Sequence, residues 1–143
     1  MSIFNKILAV GILSTTAMTL FSYGLSYLTK KRFREPQLLN ELISQFPKNS
    51  LHLCREHILG WTIHLFIGFF FVASFEVLSR FDLMDDSIES GILYGFLSGL
   101  VGVAGWWLSL HLHPNPPKLN RAQYFIHLIP AHVVFGITMV QLL

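Results

Sequence analysis

Hydrophobic positions gather into four long runs separated by polar stretches. These are "ILAVGILSTTAMTLFSYGLSYL" (7–28), "ILGWTIHLFIGFFFVASFEVL" (58–78), "GILYGFLSGLVGVAGWWLSL" (91–110) and "YFIHLIPAHVVFGITMVQLL" (124–143). A helix rises roughly 1.5 Å per residue, so each run suffices to cross a bilayer core of about 30 Å. The first run lacks a short apolar region followed by an Ala-x-Ala cleavage pattern and is read as a membrane anchor rather than a signal peptide. The pattern predicts an all-α integral membrane protein, residues 1–143 forming one domain of four transmembrane helices in an antiparallel bundle.

A fifth element precedes the second run. In "EPQLLNELISQFPKN", Leu38, Leu39, Leu42, Ile43 and Phe46 recur at helical spacing, Pro36 suits a first turn and Pro47 ends the run. The expectation is a short interfacial amphipathic helix over about 36–46, with Gln37, Asn40, Glu41 and Gln45 on its polar face. Because that face is not basic, docking onto the bundle or onto a partner is an equal alternative.

Composition agrees with lipid as the solvent. Of 143 residues, 52% are apolar and only 13% charged, against roughly 25% charged in ordinary globular chains. Lys30, Lys31, Arg32, Arg34, Lys48 and Arg55 fall in the first loop, Lys118 and Arg121 in the third, and "RFDLMDDSIES" makes the second loop acidic. Cytoplasmic loops carry the excess of Lys and Arg. This distribution predicts both termini on the non-cytoplasmic side, in a plasma or inner membrane. The net charge of +2 is too small and too local to indicate nucleic acid, and "KKRFR" reads as a topogenic signal and a seat for anionic headgroups. One cysteine, Cys54, rules out an intrachain disulfide and a multi-cysteine zinc site.

The third span carries Gly91, Gly95, Gly99 and Gly102, then Gly105, at spacings of four and three. Small residues let helix backbones approach closely in lipid, so the stripe predicts a helix contact within the chain or between copies rather than a pore lining. Glu76 and Arg80 are four apart, which predicts an ion pair on one helix face near the outer boundary. Trp61, Trp106, Trp107 and Tyr124 fit an aromatic belt at the opposite boundary.

Candidate chemistry centres on the histidines. The stretch "HLHPNPPKLNRAQYFIHLIPAH" (111–132) holds four of the seven, and all seven fall toward the basic loops. His52, His111 and His113 suit a membrane boundary, having an apolar body and a polar tip. His64 and His132 lie deeper, where ionisable groups default to function. His57 and His64, seven apart, share a helix face. His127 and His132, five apart, diverge by about 140°, with Pro130 between them as a kink point. His64 with His132 or His127, joined by His57, is therefore the expected haem or transition-metal site. The alternative is that these rings only hydrogen-bond neighbouring helices. Glu56 beside His57 reads as a solvated helix start or an imidazole-orienting partner.

"HLCREH" and "HLIPAH", carrying His52, His57, His127 and His132, are similar to the first histidine box of membrane fatty-acid desaturases and hydroxylases. The paired-histidine boxes of that family are absent and the chain is shorter than its members. No phosphate-cradling loop, HExxH helix, GxSxG elbow or cysteine pair is present. Three functions follow. The first is a non-catalytic scaffold, assembly or regulatory subunit, in contact with the lipid bilayer and with a membrane-protein partner or further copies of itself. The second is a haem- or transition-metal-binding protein, and the third a small channel or carrier subunit.

Overall fold

The computed structural model describes residues 2–48 and 51–143. Five helices follow in order: α1 (Ile3–Thr29), α2 (Glu35–Ser44), α3 (Ile58–Arg80), α4 (Ile88–Leu112) and α5 (Arg121–Leu142). All but α2 are long and apolar enough to cross a membrane. The protein is an all-helical membrane protein built as the hydrophobic pattern predicts.

The helices overrun the apolar stretches because polar residues cap them. Side-chain oxygens of Ser2, Ser87 and Asn120 accept the backbone N–H groups of Asn5, Ser90 and Gln123 at 3.3, 3.1 and 3.1 Å, satisfying donors that a first helical turn leaves free. α1 stops at Lys30, whose φ of 58° turns the chain.

α5 is the central helix, packed on α4 along most of its length and on α1 behind. The glycine stripe makes the first contact an intramolecular one. A methyl group at Gly95 would stand 2.5 Å from the His132 carbonyl oxygen, and one at Gly136 only 2.1 Å from that of Gly91. Gly91 and Gly99 face Gly136 and Ile129 in the same seam, whereas Gly105 meets nothing within 4 Å. α1 docks on α3 in the same manner, Gly68 leaving room for the Thr15 hydroxyl.

α3 and α4 make hardly any contact with each other. They are joined near the acidic loop, where Tyr94 Oη donates to the Phe71 carbonyl at 2.7 Å and the Phe75 and Tyr94 rings meet edge to face. A core of Val72, Phe75, Phe135, Met139 and Val140 fills that end. Toward the other, basic end, where α1 and α4 finish and α3 and α5 begin, the two helices splay.

For α2 the structure takes the docking alternative: Glu35, Leu38, Asn40 and Glu41 are buried against the bundle, while Phe46 is exposed. The reason is hydrogen bonding. Asn40 Nδ2 donates to the carbonyls of Arg55 and His57 at 2.8 and 2.7 Å, and its Oδ1 accepts Gly60 N–H at 2.8 Å. Glu76 pairs not with Arg80 but with Lys6 of α1, at 3.5 Å, because its face of α3 packs on the start of α1. Tyr124 belongs to no belt, being fully buried with its ring against Trp106.

Candidate functional site

The splay between α3 and α4 leaves a cavity of about 590 Å³. α3 contributes Ile63, Phe66, Ile67 and Phe70 to its wall, α4 Val101 and Trp106. Phe66, Phe70 and Val101 are exposed rim residues, so the mouth opens sideways toward lipid. Leu39 and Leu42 of α2 close the basic end. α2 is held there from two sides: His113 donates Nε2–H to the Leu42 carbonyl at 2.8 Å, and Arg32 bonds the Lys118 carbonyl.

Three ionisable side chains, His64, His132 and Glu35, face this largely apolar space, and the Ser109 hydroxyl at its edge is spent on the Gly105 carbonyl. Their hydrogen bonds fix what each presents. His132 Nδ1 lies 2.8 Å from the Leu128 carbonyl oxygen. A carbonyl only accepts, so Nδ1 carries the proton and Nε2 keeps its lone pair, with Gly102 supplying the space for the ring. Thr19 Oγ1 donates to the Thr15 carbonyl at 2.7 Å, so its 3.1 Å contact with His64 Nε2 is accepted from the ring. His64 therefore keeps its lone pair on Nδ1.

Glu35 is 1% exposed. Burial pushes its carboxyl up to about 8, against the opposing effect of hydrogen bonds from its own backbone and from Ser22, so the neutral acid predominates at pH 7. Oε1 lies 2.7 Å from Ser22 Oγ, while Oε2 is buried without a partner.

His127 turns away from the cavity. Its Nε2 meets Ser22 Oγ at 2.9 Å and Glu35 Oε1 at 3.9 Å, and its ring stacks on Phe33 at 4.3 Å. Ser22, His127 and Glu35 are the residue types of a hydrolytic triad without its geometry. The acid bonds the serine instead of orienting His127 Nδ1, which has no partner, and Ser22 is wholly buried.

The expected site is thus half assembled. His64 and His132 share one wall, whereas His127 belongs to the Ser22–Glu35 network. His57 only caps α3, its Nδ1 accepting Leu59 N–H at 3.1 Å. Among the described residues no three His, Cys, Asp or Glu side chains gather as a metal site. Of the histidines that carry the likeness to desaturases, His57 caps α3, His127 joins Ser22 and His132 lines the cavity, so these three do not converge. Sequence reasoning overlooked Glu35, Ser22 and Thr19; the signal for Glu35 was an acid directly before Pro36.

These features define a membrane bundle with a laterally open apolar cavity and a small polar wall. Beyond that class the comparisons add nothing, for no protein-family model, no curated protein and no solved structure matches the chain.

Proposed function

We propose that the protein is a non-catalytic, membrane-embedded binding protein for a lipid-soluble molecule with a neutral hydroxyl- or carbonyl-bearing head. The observation that carries this reading is the wall itself. Two imidazole lone pairs and a neutral carboxylic acid stand in a space lined mostly by Phe, Leu, Ile, Val, Met and Trp side chains. Binding pockets are mostly apolar with a few placed polar groups that fix orientation. A hydroxyl on the ligand donates to His64 Nδ1 or His132 Nε2, a carbonyl accepts from Glu35, and the apolar remainder lies between α3 and α4. A regulatory or assembly role for the bundle is compatible with such a ligand.

A second reading is favoured by the tautomers alone. An imidazole whose one nitrogen donates to the protein offers the other to a metal, so His64 and His132 suit two positions of a transition-metal site completed by an exogenous ligand. Haem has less support: among the described residues no Lys or Arg side chain lines the cavity to meet its propionates.

The experiment is extraction of the detergent-purified protein with organic solvent, followed by mass spectrometry and elemental analysis, on the natural chain and on Gly105→Phe. Gly105 borders the cavity and faces open space, so the new ring fills the site without displacing backbone. One apolar molecule retained in near-equal molar amount and lost in the variant supports the proposal. Only bulk membrane lipid, unchanged in the variant, refutes it, and a metal lost on His132→Ala puts the second reading first.

A further inference from the structure

At the basic end, outside the large cavity, Lys31, Arg32, Arg34 and Arg55 surround a second pocket of about 190 Å³, closed by Ser26, Gln37 and Leu38. Its charges are unequally committed. Arg32 and Arg55 both pair with Oε1 of Glu41, Arg55 Nε at 2.6 Å, so one carboxylate fixes two guanidinium groups and neutralises one. Gln37 bonds the Glu56 carboxylate, and Glu35, next to Arg34 in the chain, is turned inward to Ser22.

Lys31 and Arg34 are uncommitted. Neither makes an ion pair among the described residues, and Arg34 Nε is buried with no hydrogen-bond partner. The Arg34 guanidinium lies 4.9 Å over the Tyr23 ring, which holds it in place without occupying its donors. Ser26 Oγ donates to the Lys31 carbonyl at 2.5 Å, fixing the backbone from which the lysine springs. A buried donor without a partner costs free energy that an incoming acceptor relieves, and planar guanidinium groups suit phosphate oxygens. The pocket lies at the end of α1, the depth at which a spanning helix meets headgroups.

We propose that this pocket binds a phosphate group, met by Lys31 and Arg34 and backed by the fixed guanidinium groups of Arg32 and Arg55. This sharpens the diffuse attraction expected of "KKRFR" into a site of defined residues. Lys30, in the same run, is outside it, sitting 4.4 Å over the Tyr27 ring.

The test is native mass spectrometry of the full chain in uncharged detergent, titrated separately with phosphatidic acid, phosphatidylcholine and inorganic phosphate. The expected result is preference for phosphatidic acid over phosphatidylcholine, weakened about fivefold by Lys31→Gln and again by Arg34→Gln, kept by Lys31→Arg and untouched by Lys30→Gln. Lys31 is exposed, so its variants leave the fold intact even if Arg34→Gln disturbs the contact with Tyr23. Competition by inorganic phosphate makes a soluble phosphate compound the source; binding of the lipid alone makes it a headgroup. Equal weakening by Lys30→Gln, or none by Lys31→Gln and Arg34→Gln, overturns the proposal.

Discussion

Gly102 of α4 leaves the space that His132 of α5 occupies: a methyl group there would stand 2.9 Å from the ring's Cε1 and 3.1 Å from Nε2. The missing side chain thus keeps the histidine's free nitrogen on the cavity wall. Gly102→Val should displace the ring, abolish ligand retention and lower stability by about 1–3 kcal/mol, the usual cost of overpacking. Gly105→Ala, three residues on, should be neutral or stabilising by up to ~1 kcal/mol, since alanine is the better helix former. Thermal unfolding in detergent beside ligand content measures both.

The α4–α5 seam is less forgiving. Gly136→Ala drives a methyl into the Gly91 carbonyl, which is backbone and has no rotamer to escape to. A loss of about 3 kcal/mol or failure to assemble is expected. Unchanged melting of this variant would mean that the two helices are not in such close contact.

Asn40 holds α2 on the start of α3 through bonds to Arg55, His57 and Gly60. Asn40→Ala should cost about 2–4 kcal/mol, because buried backbone groups lose their partners. Hydrogen exchange at the Gly60 amide should accelerate more than at amides in the middle of α3. A uniform response along α3 would argue against a local latch.

Glu35 makes stability depend on pH in a direction opposite to that of most carboxylates. Its folded-state value, about 8, lies above the ordinary 4.5, so between those values the folded chain binds more protons than the unfolded one. Its contribution is complete below the ordinary value and declines as pH rises toward 8, with a slope approaching ~1.4 kcal/mol per pH unit. Glu35→Gln, an isostere of the neutral acid that keeps a bond to Ser22, should flatten the melting temperature across pH 5–8. If the slope persists in this variant, Glu35 is not its source.

Lys6 and Glu76 are partly exposed, at 30% and 16% of their side chains, so their pair should be worth about 0.5–1 kcal/mol in a double-mutant cycle. Lys6→Glu should destabilise and Glu76→Lys in the same chain should restore. Arg80→Ala should stand near neutral, which separates this pairing from the one that spacing alone suggests.

The spans and the glycine seam were legible because each follows from one helix's own periodicity. Residues 91, 95, 99 and 102 lie on one face whatever they pack against, and lipid leaves small residues few other uses. Pairings between helices were not legible. Spacing placed Arg80 one turn from Glu76, but only the docking of α1 on α3 supplies Lys6. Likewise His64 and His132 were found by depth, while their tautomers depend on Thr19, Thr15 and the Leu128 carbonyl, which no linear pattern joins to them. Whether α2 docks on the bundle or lies at the membrane surface was open for a related reason: no linear pattern joins Asn40 to the backbone at the start of α3.

The splay of α3 from α4 has a directional consequence. The rim runs from Ile63 to Phe70 on α3 and from Ser109 back to Val101 on α4, within roughly 18 Å of the basic ends at 1.5 Å per residue. The opposite ends are closed by Tyr94 and Phe75. If the cavity holds a lipid-soluble molecule as proposed, an opening on this half of the helices would draw on a single leaflet, and a molecule dissolved in the other would have to cross the bilayer midplane to reach His64 and His132.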